Sequence, residues 1–271
     1  MDAYRQFVRR FEDALGMALP APAVRATKLP PPAPDAPVAL LFSPHPDDEV
    51  ITGALPLRLQ REAGARIVNV AVTLGSNPAR RDGRRRELEN ACALLGWDLE
   101  ILGWEGVLPE AAQNNATWPG WVGAAAQIIQ RLKPRWVIYP HANDWHPTHR
   151  GTHLLAEAAL AQAGTTSTPL WRVQTEYWHP LENPNLLVEC APDLLAKLVA
   201  ALCCHAGEIA RNPYHLTLPA WMMDNVRRGA ERVTGPGKSA PGFKFGTLYR
   251  VEPTLPPGWN PILSAATTLP A

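Results

Sequence analysis

Two short polar runs hold most of the reactive side chains of this chain. The first, Pro44-His45-Pro46-Asp47-Asp48-Glu49, sets one imidazole and three carboxylates on a single turn; the second, His146-Pro147-Thr148-His149, sets two imidazoles on another. Histidine and carboxylate are the donors that a catalytic divalent ion uses, three from the protein with one position left for water. His45, Asp48 and His149 make such a set. Asp47 neighbours a ligand but points differently along the turn, so it is left as a free carboxylate in a general-base position. An ion lowers the pKa of water to about 7, and a carboxylate can complete the deprotonation near neutral pH. His146 lies three residues before His149 and can face the other side of a substrate carbonyl. Protonated, it would stabilise an oxyanion, a contribution of about 10²–10³ in rate, and later serve a leaving amine. The chemistry such groups would support is metal-assisted hydrolysis. Zn²⁺ is the expected ion, and Fe²⁺ or Co²⁺ suits the same donors.

Each polar run follows an apolar segment, residues 38–42 before the first and 136–139 before the second. That is where an open α/β sheet assembles a site, at the carboxyl ends of buried strands. Apolar runs at 38–43, 66–74, 99–103 and 135–140 alternate with helical patterns around 54–63, 83–95, 121–133 and 151–162, the signature of βαβ units and a parallel sheet. In the second of these helices Leu88, Ala91, Cys92 and Leu95 form one stripe, with Asp82 as a cap and Gly96 as a stop. The expected fold is α/β, a Rossmann-like open and mostly parallel sheet flanked by helices.

Tyr4, Phe7, Val8, Phe11 and Leu15 have amphipathic helical spacing, and this N-terminal helix is expected to dock on the domain. Proline and alanine crowd residues 19–37, which favours an extended connection. The organisation expected is therefore a helix and Pro-rich linker over 1–36, a catalytic-type domain over 37–252 and an irregular tail over 253–271. Residues 170–179 could extend the sheet, and a helix follows Asp193. Beyond 211 only a helix near 220–228 and a strand at 247–251 are legible.

The formal net charge is +1, from 26 basic and 25 acidic residues, so no global field favours nucleic acid or an anionic membrane. No long uncharged stretch or secretory signal stands out, and the expectation is a cytoplasmic protein with a small-molecule substrate and no stable membrane insertion; a homo-oligomer is left open. Cys92, Cys190, Cys203 and Cys204 lack C-x-x-C spacing and read as reduced, buried thiols.

These motifs resemble the PIG-L/LmbE-like zinc-dependent N-deacetylases, with the likeness covering roughly residues 38–205. The turn at 44–49 and the His-Pro-x-His turn at 146–149 carry it, and Arg84-x-x-Glu87-x-x-x-Ala91-x-x-x-Leu95-Gly96 looks like the family's helix after the second strand. The resemblance implies a Rossmann-like sheet, zinc on His45, Asp48 and His149, Asp47 as base and His146 as electrostatic and acid partner. It implies removal of an N-acetyl or other N-acyl group from an amino sugar or its conjugate. The family usually has an acid between the two histidines where this chain has Thr148, and Asp144 could supply a carboxylate to His146 instead.

The remaining polar residues admit plainer readings. Glu49 is expected to buttress its turn by hydrogen bonding. Within the cluster Arg80–Arg86, Arg84 is the best candidate to bind substrate, against the alternative of a solvated face paired with Glu87 and Glu89. Trp145, between Asp144 and His146, is expected to wall the pocket. His153 could serve as a ligand but fits better near the site or exposed, and His141, His179, His205 and His215 have no partner spacing. Two alternatives accompany the deacetylase reading: an amidase acting on a larger N-acyl conjugate, and a catalytically silent sugar-binding module of the same fold. Nucleic-acid binding has only the arginine cluster behind it.

Overall fold

The structure is a computed structural model that describes residues 1–23, 33, 35–164 and 169–269. Helix α1 (Asp2–Leu15) precedes the domain. Strand β1 (Val38–Ser43) leads through the short α2 (Asp48–Ile51) and α3 (Ala54–Glu62) to β2 (Arg66–Ala71). Helix α4 (Arg81–Leu95), β3 (Asp98–Ile101), α5 (Ala111–Asn114), α6 (Trp118–Leu132) and β4 (Trp136–Pro140) follow. Then come α7 (Pro147–Ala163), β5 (Trp171–Thr175), β6 (Leu186–Glu189), α8 (Pro192–Leu202), α9 (Ala206–Ile209), α10 (Tyr214–Thr234), β7 (Gly246–Glu252) and β8 (Ile262–Leu263).

The strands form one sheet in the order β3-β2-β1-β4-β5-β7-β6-β8. The first five run parallel, while β7 is antiparallel to both β5 and β6, and β8 returns parallel to β6. The expected α/β fold is present. Side chains alternate across the pleat and helices cover both faces, which is why the central strands read as unbroken apolar runs. Leu41, Ile67 and Ile138 face Leu88, Leu198 and Leu202, whereas Leu40, Val68 and Val137 face Ile129, Leu155 and Ala159.

Strand order reverses between β1 and β4, where the chain winds first one way and then the other. A crevice opens there beyond the strand ends. Ser43 and Pro140, the last residues of β1 and β4, deliver the two polar runs to its two sides.

Several expectations change. Helix α1 forms and approaches α10, but none of its residues is buried: Tyr4 is 71% and Phe7 62% exposed, so its apolar face stays largely open. The Pro30-Pro31-Pro32 segment lies outside the described residues. Asp82 sits inside the first turn of α4 and does not cap it, whereas Gly96 ends that helix in the left-handed conformation (φ 72°) as expected. Helix α10 runs well beyond 220–228 and accommodates Pro219.

The tail after 253 is not free of structure. Arg58, fully buried, donates to the carbonyls of Leu263 (2.8 Å), Ser264 (3.0 Å) and Thr267 (2.6 Å) while its Nε binds Glu62 at 2.8 Å. A buried guanidinium needs acceptors around its whole rim, and the tail's carbonyls provide them. Among the described residues no helix is long and apolar enough to cross a membrane.

Candidate metal centre

The turn after β1 is closed by its own side chains. Asp48 Oδ2 accepts the backbone N–H of His45 at 2.9 Å and lies 3.1 Å from His45 Nδ1. The same oxygen is 3.2 Å from Nε2 of His149, which the first turn of α7 brings in from β4. Ring nitrogens of His45, His146 and His149 lie within 4.8 Å of one another. Three imidazoles therefore cluster at the sheet's switch point, and Asp48 touches two of them.

Electrostatics follow from this packing. Burial pushes Asp48 upward, but the adjoining His149 and His45 outweigh it and hold its carboxyl well below the usual range. Burial lowers His149 in turn, yet Asp48 and Asp144 raise it to about 9. His146 is brought down to about 4 by burial and by the facing His45 and His149. A buried carboxylate set against imidazoles, with Asp144 3.5 Å behind the far nitrogen of His149, is a donor set that suits a divalent cation.

Asp47 adopts φ 108°, unusual for a residue with a side chain. Its N–H donates to Glu49 Oε2 at 2.8 Å, and Glu49 Oε1 is 2.8 Å from Nε2 of His205. The turn is thus held in a conformation costing about 1–3 kcal/mol, of the kind found where geometry serves function. Its effect is to keep the Asp47 carboxylate, only 6% exposed, on the wall of the crevice beside Asp48. Burial, then the neighbouring charges of Asp48 and Glu49, raises Asp47 well above the ordinary carboxylate value.

At the start of α7, His146 is the N-cap and Pro147 the first helical residue, a position suited to a residue without N–H. Nδ1 of His146 accepts the N–H of Thr148 at 3.2 Å. An accepting Nδ1 cannot carry the proton, so the neutral ring carries it on Nε2. Thr148, where an acid was expected, contributes its backbone here and lines the crevice. Asp144 does not take up the missing acid's place beside the His146 ring. Its Oδ1 accepts the His146 N–H (2.8 Å) and lies 3.5 Å from Nδ1 of His149, while Oδ2 accepts the N–H of Trp178 (3.2 Å).

The crevice is a cavity of about 820 Å³. Arg84 lines it, held by the carbonyl of Pro46 at 2.9 Å and by Glu208 at 3.7 Å. Gly75 (φ 87°) makes room for that side chain, since a Cβ there would fall 2.2 Å from Arg84 Nη1. Trp145 is a correction: it is 72% exposed, sits edge-on against His179, and lies outside the cavity lining because the turn directs it away from the crevice. Trp104, Trp178 and Tyr214 provide aromatic wall instead. His153 bonds the carbonyl of Pro140 and His141 that of His179, so neither faces the centre.

Sequence reasoning gave His205 no partner. It reaches Glu49 from the turn between α8 and α9, and no local spacing signals that contact. Glu208, which gathers Arg80, Arg84 and Arg211, was missed for the same reason.

Fold and site together define an α/β domain with a buried carboxylate–histidine cluster at the switch point of its sheet. Residues 40–160 match the family described as PIG-L, GlcNAc-PI de-N-acetylase. The chain is 27% identical over 184 residues to the 1D-myo-inositol 2-acetamido-2-deoxy-alpha-D-glucopyranoside deacetylase of Mycobacterium leprae, covering 53% of this chain and 60% of that protein. It therefore spans about three-fifths of the length of the curated relatives it matches. Among solved structures, the N,N'-diacetylchitobiose deacetylase of Pyrococcus horikoshii superposes with a TM-score of 0.57 at 18% identity, covering 92% of each chain. A 4-carboxy-2-hydroxymuconate hydratase from Pseudomonas putida superposes at 0.62 with 18% identity, covering 82% of this chain and 99% of the other. These two share the fold while carrying names of different reactions, so the reaction must be argued from the site.

Proposed function

We propose that this protein is a metal-dependent hydrolase that removes the N-acyl group, acetyl in the simplest case, from an amino sugar or amino-sugar conjugate. The observation that carries the reading is the convergence of His45, Asp48 and His149 beside an Asp47 whose backbone is forced to φ 108°. His45, Asp48 and His149 would hold the ion, zinc in the first instance. When bound, it supplies Lewis acidity, polarising the amide carbonyl and acidifying water.

The chain's own groups do the rest. Asp47 takes the proton of the attacking water on its carboxylate, and a pKa raised by burial makes it a stronger base than an exposed aspartate. His146 donates Nε2–H to the carbonyl oxygen as negative charge develops there, with its ring fixed by the Thr148 N–H. The proton taken by Asp47 is the one the departing amine nitrogen requires, so the step closes with amine and carboxylate as products. Arg84 on the cavity wall meets sugar hydroxyls.

The family match and the amino-sugar deacetylase names among the relatives support this reading. The test is release of acetate from a panel of N-acetylated amino sugars by zinc-loaded protein, with Asp47→Asn beside it. Turnover that falls by orders of magnitude in the variant is the expected result; equal release by both proteins would overturn the assignment.

A further inference from the structure

A second cavity of about 360 Å³ lies between the segment after β5 and helix α10. Ile51, Trp178 and Tyr214 line it on one side and line the metal-centre crevice on the other, so the two spaces share one wall. Ile51 is one turn beyond Asp47, whose carbonyl accepts its N–H at 3.2 Å. Tyr177, another residue of this cavity, packs edge-on against His149 with ring centres 4.7 Å apart, and its hydroxyl donates to the Asp48 carbonyl at 3.3 Å. The second cavity therefore begins directly behind two of the proposed ligands.

Its character differs from that of the crevice. Leu218, Trp221 and Pro180 complete the apolar wall. The charged groups at its edge are already satisfied: Glu176 Oε2 accepts from Arg228 Nη1 at 3.2 Å and from the Leu181 N–H at 2.7 Å, and Arg228 Nε donates to Asp224 at 3.0 Å. The crevice, by contrast, is edged by Arg80, Arg81, Arg84 and Glu208. A hydrolysable amide has two sides. Its hydroxyl-bearing side fits the polar crevice, which leaves the acyl side facing Ile51, Trp178 and Tyr214. An acetyl group presents one methyl there, and the second cavity has the volume of a small-ligand site.

We propose that the protein prefers N-acyl groups longer than acetyl, with the acyl chain passing the Trp178–Tyr214 wall into this second cavity. Trp178 is 43% exposed, and its ring lies 5.6 Å from that of Tyr214 at 52°, a loose contact that side-chain rotation can open. The inference rests on the hydrolase reading for its chemistry but on the cavity alone for its binding. Each methylene moved from water into the cavity contributes about fourfold in affinity.

The experiment has two arms. In the first, kcat/KM is measured on N-acetyl-, N-butanoyl- and N-octanoylglucosamine with zinc-loaded protein. The expected result is a rise with chain length of about a hundredfold or more from acetyl to octanoyl, expressed mainly in KM. Thr217→Trp, at an exposed position of α10 that edges the cavity, is expected to reduce the octanoyl-to-acetyl ratio at least tenfold. In the second arm, calorimetry follows binding of the N-acetyl and N-octanoyl compounds to Asp47→Asn, where turnover does not intervene. Tighter octanoyl binding that Thr217→Trp weakens supports the cavity even if no amide in the panel is cleaved, in which case the hydrolase reading falls. Equal affinity for the two compounds, or none for the octanoyl one, overturns the cavity proposal whether or not acetate is released.

Discussion

Glu49 and His205, 156 positions apart, meet at 2.8 Å between Oε1 and Nε2 with both side chains buried. The other Glu49 oxygen holds the Asp47 N–H, so His205 acts on the proposed base through one intermediary. Removing His205 leaves a buried carboxylate short of a partner, at a cost of about 1–3 kcal/mol in stability. His205→Leu is expected to lower kcat about ten- to hundredfold with little change in KM. His205→Gln, which retains a side-chain N–H donor, should recover part of the loss. A filling side chain that preserved kcat would count against a positioning role.

The ligand set can be read by metal content. Asp48→Ala and His149→Ala are expected to lose metal on dialysis, measured by elemental analysis, whereas His146→Ala should keep it and lose turnover about 10²–10³-fold. Chelation of the native protein should abolish activity, and added zinc should restore it. Loss of metal from His146→Ala with retention in Asp48→Ala would exchange the roles of those two residues.

Gly151 lies where α7 passes the crevice loop. A Cβ there would fall 2.2 Å from the Val107 carbonyl oxygen and 2.9 Å from the Leu108 nitrogen, both backbone atoms that cannot swing aside. Gly151→Ala is expected to destabilise by about 1–3 kcal/mol, read by urea denaturation, and to raise KM because residues 107 and 108 line the cavity.

Arg58 ties α3 to the C-terminal tail through three carbonyls. Arg58→Met keeps much of the volume but leaves those acceptors and Glu62 unpaired, and a loss of about 3 kcal/mol is expected. Limited proteolysis should then cut first in residues 255–269. Cleavage elsewhere at an unchanged rate would show that the tail is held by other contacts.

The thiols give a pH dependence. Burial raises Cys190 to about 12, and burial with the neighbouring Cys203 raises Cys204 to about 11. A free thiol in the unfolded chain titrates near 8.5. Below that value both states hold the proton and stability is unaffected. Between roughly pH 8.5 and 11 the unfolded chain loses protons that the folded chain keeps, so stability falls with rising pH, by up to about 1.4 kcal/mol per unit per thiol. Urea midpoints at pH 8 and 10 measure the slope, and thiol reagents should react slowly at pH 8 until urea is added.

Much of the site was legible because its parts are local. His45, Asp47, Asp48 and Glu49 share one turn, His146 and His149 share another, and each turn follows a strand whose burial on both faces requires an unbroken apolar run. Arg84 was legible as a candidate from its place in a helix beside the expected crevice. Trp145 was misread because adjacency in sequence does not fix side-chain direction on a turn: the same loop that turns His146 inward turns Trp145 out. The final strands β6 and β8 were missed because two to four residues carry too little periodicity to register.

The sequence by itself determined the donor types, their spacing and the alternation of strand and helix, since these follow from side-chain chemistry and from periods of two and 3.6 residues. Tertiary structure alone decided that Asp48 bridges two imidazoles, that Asp144 serves His149 rather than the His146 ring, that His205 holds Glu49, and that an apolar cavity backs the centre. Those contacts join residues brought together only when the sheet closes. Their geometry depends on packing distances of a few ångströms, which no one-dimensional pattern encodes.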